Sequence, residues 1–354
     1  MILDGKRVLV TGGTGSMGKT LVHRLLGGEI GLPKKIVVLS RDEAKQHSMR
    51  MAYMHKHITT DEVIFRNFMS VLEFRIGDVR DPASVAGALK DADVVVNAAA
   101  LKQVPTCEYF PEQAVLTNCV GARNIVQAIE QNGFPVQTVV GVSTDKACKP
   151  VNVMGMTKAI QERIFIAGNV LNPGTRFICV RYGNVLASRG SVIPLFHDQI
   201  RNGGPVTITD PRMTRFLLSL DDAVDTVFEA LRNAKAGEIY VPRAPSATVA
   251  NIAKALIGER RIETRVTGIR PGEKMHEILV SEEEANHVVQ RGAYYAIRPM
   301  LPELTQGGAA EPNALEREFS SGDTVLDAAG TVKLLERHGL LDIGEAAAAE
   351  EMLR

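Results

Sequence analysis

Over roughly the first 180 residues, short apolar runs alternate with amphipathic stretches, the pattern of parallel strands joined by helices. The runs Arg7–Val10, Lys35–Leu39, Glu73–Ile76, Val94–Asn97, Thr138–Val142 and Phe177–Arg181 are β-branched and almost continuously apolar. Strands buried on both faces look like this. Between them, Gly18–Leu26, Pro82–Ala88, Pro111–Gln131 and Val153–Val170 carry helical spacing. The expected architecture is α/β, a doubly wound parallel sheet over residues 1–185 followed by a smaller C-terminal substrate lobe. Beyond Arg181 the chain is richer in Gly and Pro, which assigns 186–218 and 242–300 to that lobe. Ser219–Asn233 and Glu238–Val241 read as one more helix–strand unit on the first sheet, and 301–354 as a C-terminal extension. The extension reads as a Gly-rich linker, a short helix and an Ala/Glu tail. Met49–Phe68, rich in Met and His, is expected to be a helical insertion rather than a metal site built from His47, His55 and His57.

The first strand runs into Thr11-Gly12-Gly13-Thr14-Gly15-Ser16-Met17-Gly18 and then into a helix. Gly12, Gly15 and Gly18, spaced three apart, suit a tight turn, a close approach of backbone to a pyrophosphate, and a helix packed against the strand. The helix N-terminus then offers N–H groups and partial positive charge to the phosphates. The fold is therefore expected to be of Rossmann type, with Thr14, Ser16 and Met17 also beside a dinucleotide. The second strand ends in Ser40-Arg41-Asp42, with Lys45 one turn on. Ser40, Arg41 and Lys45 suit a ribose 2′-phosphate, which favours NADP. Asp42 is the competing reading, an acid for the ribose hydroxyl of NAD. Asp78 and Val79 after the third strand suit the adenine edge, and Ala98, Ala99 and Ala100 give small residues where the backbone passes the cofactor.

Composition narrows the class without naming it. Hydrophobic residues make up 45% and charged residues 23% of 354, and Lys plus Arg equals Asp plus Glu at 41 each. No net field draws the protein to nucleic acid or to anionic lipid. Cys107, Cys119, Cys148 and Cys179 have no metal-ligand spacing and are expected to be reduced thiols of a cytoplasmic protein. The N-terminus shows no signal-peptide pattern, no apolar run reaches membrane-span length, and no metal is expected.

Nine motifs in one order carry a resemblance. They are Thr11–Gly18, Ser40–Glu43, Gly77–Arg80, Ala99–Pro105, Ser143–Ala147, Arg181–Val185, Ser188–Val192, Thr209-Asp210 with Met213–Phe216, and Arg270–Lys274. Over residues 1 to about 340 the chain resembles the short, soluble UDP-N-acetylglucosamine 4,6-dehydratases that invert carbon 5, within the extended short-chain dehydrogenases. Capsule-type dehydratase/5-epimerases are the nearest likeness. The resemblance implies tightly bound NADP recycled within each turnover, a UDP-sugar substrate, a homo-oligomer (dimer or hexamer), and a role in capsule or O-antigen sugars. It implies cofactor contacts from Asn118 and Tyr182 and substrate contacts from Lys102, Asn184, Arg189, Arg215, Arg270 and Glu273. In one respect the chain departs from the superfamily. Where dehydrogenases carry Tyr-x-x-x-Lys, it has Met154-Gly155-Met156-Thr157-Lys158, and a thioether cannot move a proton. The capsule-type enzymes share this methionine.

Asp145 and Lys146 follow directly on the strand Thr138–Val142, where parallel sheets bind ligands. An adjacent acid and base there suits β-elimination. Lys146 is expected to take the carbon 5 proton, Asp145 to assist loss of the carbon 6 hydroxyl, and Thr144 to stand beside them. Lys158 is expected to hold the nicotinamide ribose, with Lys146 or a water it polarises as the oxidation base. Burial moves the Asp145 and Lys146 proton affinities in the required directions, whereas their mutual pairing opposes it. Two alternatives stay open at this point: a nucleotide-sugar 4-epimerase or 4-keto reductase, and a non-catalytic NADP-binding sensor.

Overall fold

Six parallel strands carry the N-terminal part: β1 (Arg7–Thr11), β2 (Lys35–Ser40), β3 (Leu72–Ile76), β4 (Val94–Asn97), β5 (Thr138–Val142) and β6 (Arg176–Val180). The computed structural model describes residues 1–55, 62–186, 191–269, 271–305 and 311–341. His57, Arg189 and Arg270 lie outside these, as does the side chain of His55. The strand order is β3-β2-β1-β4-β5-β6, so the connection reverses direction between β1 and β4. Ligands of open α/β sheets bind at such a reversal, outside the carboxyl ends of the strands. Val8, Leu9, Val10, Val95, Val139 and Val140 are buried between helices on the two faces, as their apolar continuity predicts. β3 differs from expectation in being half-buried along its length, because it is the outer strand of the sheet.

The expected helix–strand unit is present as Leu220–Asn233 and Ile239–Pro242, the strand lying parallel to β6. The boundary assigned to the small lobe needs correction. Val288–Arg291 and Tyr294–Ile297, read as lobe, form an antiparallel pair that extends the main sheet beyond Ile239–Pro242. In the C-terminal extension the Gly-rich stretch and the Ala/Glu tail lie outside the described residues, and the part between them, including a short helix, packs on the rest of the chain. Phe319–Ser320 pairs with Ile278–Val280, Val325–Leu326 pairs with Ser246–Thr248, and helix Ala328–Arg337 places Leu335 in the small core with Ile193, Phe196, Ile252 and Leu256. The described parts of the insertion are helical, with Glu43–His55 and Glu62–Val71 bringing Met49, Tyr53 and Phe68 into the main core, and residues 56–61 lie outside the described residues. No helix among the described residues is long and apolar enough to cross a membrane.

One buried charge group joins these parts. Arg181, just past β6 and 1% exposed, gives Nε and Nη2 to Glu162 at 3.0 and 2.7 Å and Nη1 and Nη2 to Glu284 at 2.7 and 3.0 Å. Glu162 belongs to the helix Val153–Leu171 and Glu284 to the short helix Glu282–Ala285. Removing the arginine leaves Glu162 buried without an ion-pair partner and Glu284 with only the more exposed Arg163 at 3.8 Å. Arg181→Met should therefore lower the unfolding free energy by about 3–5 kcal/mol, read as a lower urea midpoint at unchanged slope. A midpoint within experimental error of the parent would show that the triad adds nothing to the joint.

Candidate active site

The carboxyl ends of β1 to β6 open on one cavity of about 910 Å³. Its first wall is the glycine loop. Gly12 has φ +68°, and a Cβ there would lie 2.7 Å from the Ala99 backbone; a Cβ on Gly18 would lie 2.5 Å from Gly13 Cα. Only glycine fits either position. The helix Ser16–Leu26 starts at Gly15 with no side-chain cap, so its first N–H groups keep their affinity for an anion. Gly12, Thr14, Gly15, Ser16, Met17 and Gly18 all line the cavity. A dinucleotide pyrophosphate fits this cradle, because the backbone can approach it where a Cβ would block the way.

At the end of β2, Ser40 Oγ and Thr14 Oγ1 are 3.0 Å apart, and Arg41 and Lys45 line the same cavity with about half of each side chain exposed. Asp42 is bound by Lys45, whose backbone N–H and ammonium each lie 3.0 Å from its carboxylate and hold it below the usual range. Asp78 is similarly engaged. Burial pushes its carboxyl up, but Arg80 Nε and Nη2, at 2.9 and 2.6 Å, more than offset this. Val79, Ala98, Ala99, Ala100 and Tyr182, expected beside a cofactor, line the cavity. Asn118 does not. Its fully buried amide accepts from Leu101 N–H and donates to Leu101 O and Thr157 Oγ1, so it braces the cavity wall from behind.

The reactive end lies past β5. Thr144 caps a single 3₁₀ turn, Asp145–Ala147. Asp145 is 0% exposed, and its Oδ1 accepts Thr144 Oγ1 and Lys146 Nζ, each at 2.9 Å. Among the described residues its Oδ2 has no hydrogen-bond partner, and it faces Gly183, where an added Cβ would come within 3.4 Å. Thr144 and Lys146 form the cavity wall, whereas Asp145 sits behind them. Lys146 Nζ also donates to Asn184 Oδ1 at 3.0 Å and lies 3.7 Å from Glu277 Oε1. Burial opposes the Lys146 ammonium, but Asp145 and Glu277 outweigh it and hold Lys146 above the ordinary lysine range. At Lys146, pairing with the carboxylates outweighs burial.

Lys158 goes the other way. Its Nζ donates to Val142 O at 2.5 Å and Gln161 Oε1 at 2.7 Å, and burial pushes it down to about 8. Met154, one turn earlier on the same helix, lines the cavity and packs with Cys107, Ala114 and Leu101. The two lysines thus differ in readiness to be neutral: Lys158 is buried among neutral partners, whereas Lys146 is half-buried among carboxylates. Opposed environments of this kind suit separate acid–base duties.

Lys102, Asn184, Arg215 and Glu273 also line the cavity, Asn184 and Arg215 close to Lys146 and Glu277. Arg215 is less available than a diphosphate ligand would be, since Nη1 donates to the carbonyls of Thr214, Lys274 and Met275 at 2.7, 3.2 and 3.4 Å. It braces the segment leading to Glu277. Glu277 itself was not singled out in the sequence. Its only signal there was a second acid four residues after Glu273, and its partners are remote in the chain.

The "Polysaccharide biosynthesis protein" family matches residues 8–299. The UDP-N-acetylglucosamine 4,6-dehydratase (inverting) of Campylobacter jejuni is 41% identical over 317 residues, 89% of each chain. The UDP-glucose 4-epimerase of Rickettsia typhi is 45% identical over 302 residues, 84% of each. Among solved structures, Pen from Bacillus thuringiensis superposes with a TM-score of 0.83 at 32% identity, covering 96% of this chain and 99% of its own. DesIV, a dTDP-glucose 4,6-dehydratase from Streptomyces venezuelae solved with NAD, reaches 0.63 at 23% identity over 76% and 86%, which is a likeness of fold.

Proposed function

The chain belongs to the polysaccharide biosynthesis protein family, whose relatives include nucleotide-sugar dehydratases and epimerases, and on that premise we propose that it dehydrates UDP-N-acetylglucosamine across carbons 4 and 6 with inversion at carbon 5. The observation that carries this reading is the buried Asp145 bonded at 2.9 Å to Lys146 in the cavity wall. The same reading gives a cytoplasmic homo-oligomer that retains NADP and serves capsule or O-antigen sugar synthesis.

The chemistry a bound nicotinamide supplies is reversible hydride transfer, out of sugar carbon 4 and back into carbon 6. For the carbon 4 hydroxyl, Lys158 is the better matched proton acceptor than Lys146, because burial holds it near 8 while Asp145 and Glu277 hold Lys146 up. Lys158 thereby covers the position where Met154 has no proton chemistry. With carbon 4 a ketone, the carbon 5 proton is acidified and passes to Lys146 Nζ. Its bonding pair becomes the double bond between carbons 5 and 6, and the carbon 6 hydroxyl departs as water with the Asp145 proton. In the resting pair one proton is shared as ammonium and carboxylate. Moving it across their 2.9 Å bond gives amine and acid with no exchange with solvent. Asp145 does not border the cavity, so the Thr144 hydroxyl, bonded to Asp145 Oδ1, is the path to the leaving group.

The name carried by the Rickettsia typhi relative supports a second reading, 4-epimerisation. An epimerase moves hydride out of and back to carbon 4, which leaves the Asp145–Lys146 pair without a task. Incubation with UDP-N-acetylglucosamine and no added cofactor separates the readings. Dehydration should yield a keto product lighter by one water in mass spectrometry. An isomer of unchanged mass would establish the epimerase, and no product at all would favour a reductase or a sensor.

For the cofactor, the support for NADP is the cationic, hydroxyl-bearing end of β2, with Asp42 already bound to Lys45. Arg41→Ala should weaken NADP⁺ binding by about 1.5–3 kcal/mol more than NAD⁺ binding, measured by calorimetry. Equal losses for the two would remove the 2′-phosphate assignment.

A further inference from the structure

The scheme above leaves one buried charge at Lys146 without a role. Glu277 is 4% exposed, borders the cavity, and holds Oε1 3.7 Å from both Lys146 Nζ and Arg215 Nε. A carboxylate so far from water persists only where cations compensate it. Its backbone is fixed by the C-terminal extension. Ser321 Oγ accepts Glu277 N–H at 2.9 Å, Ser321 N–H donates to Glu277 O at 2.8 Å, and Ser321 Oγ lies 2.6 Å from Thr214 Oγ1. Three separate stretches of chain therefore set where this carboxylate stands.

We propose that Glu277 is a positioning residue for the elimination, orienting Lys146 toward the sugar and stabilising the positive charge that Nζ gains as it takes the carbon 5 proton. This rests on the dehydratase reading. The geometry explains the division of labour. Asp145 Oδ1 and Asn184 Oδ1 hold two directions of Nζ at 2.9 and 3.0 Å. At 3.7 Å Glu277 is too far to take the third as a hydrogen bond, so it acts through charge and leaves that direction to the substrate. During elimination Lys146 becomes an ammonium. A fixed carboxylate in a dry wall favours that change without having to reorganise. The other groups facing Lys146 are accounted for. Burial disfavours its charge, Asp145 favours it, Arg215 opposes it, Asn184 is neutral, and Lys274 Nζ is turned away to Cys148 O at 2.6 Å.

Glu277→Gln keeps the shape and removes the charge. Loss of the Lys146 proton disables the pair, so it sets the alkaline limb of the pH–rate profile. In the variant that limb should move to lower pH by about 1–3 units, with KM for the UDP-sugar changed much less than kcat. Glu277→Asp should recover part of the shift. A second readout does not depend on turnover: competitive acetylation of Lys146 by acetic anhydride across pH, followed by peptide mass spectrometry on the full chain with NADP. In Glu277→Gln the amine should become reactive at lower pH by the same amount. If the parent makes no keto-sugar, the dehydratase reading fails, and the labelling curve still decides whether Glu277 holds the Lys146 proton. If the Gln variant unfolds, the Asp variant carries both readouts. An unmoved limb together with an unmoved labelling curve overturns the proposal and leaves Glu277 a structural acid of the small lobe.

Discussion

Arg181 stands at the end of β6 with almost no exposure, and glutamates from two other parts of the chain close on it. Glu162 lies one turn beyond Lys158 on the helix that also carries Met154, and it accepts Ser143 Oγ at 2.5 Å, just before Thr144 and Asp145. Glu284 closes the segment that begins at Glu277. Sheet, helix and small lobe therefore share one desolvated guanidinium. An ion group of this kind is a poor source of net stability but fixes geometry, because every partner must keep its place.

From that geometry follows the separate chemistry of the two cavity lysines. Lys158 has neutral partners at its ammonium, a carbonyl and an amide, so burial dominates and makes it a willing proton acceptor. Lys146 has carboxylates, so it keeps its proton unless Asp145 takes it. The departure from the usual tyrosine at Met154 becomes intelligible on this basis. On the dehydratase reading, a cavity with a readily neutral lysine and an adjacent acid–lysine pair does not require a phenol for its proton transfers.

Much of this was legible in the sequence because it is local. The glycine loop, the cationic end of β2 and the Asp145-Lys146 dipeptide each follow a buried strand directly, and strand periodicity placed them at one edge of the sheet. What the sequence did not disclose depends on distance or brevity. Strands of two to four residues, such as Val325–Leu326 or Tyr294–Ile297, carry too little period to be assigned to a sheet. Asn118 sits in a π-helical turn, Val115–Val120, with its amide bonded into the wall, a placement the sequence pattern does not reveal. Glu277 becomes meaningful only when Lys146, Arg215 and Ser321 are brought to it by tertiary packing. The balance between burial and pairing at Lys146 likewise needed the distance to a third charge.

The central claim is that hydride leaves carbon 4 and returns to carbon 6 of the same sugar, with elimination in between. UDP-N-acetylglucosamine deuterated at carbon 4, turned over by the parent enzyme and analysed by NMR, tests this directly. The account predicts a keto-sugar whose new methyl group at carbon 6 carries the deuterium, while carbon 5 acquires hydrogen from solvent. Deuterium found back at carbon 4 of an unreduced, undehydrated sugar would contradict it.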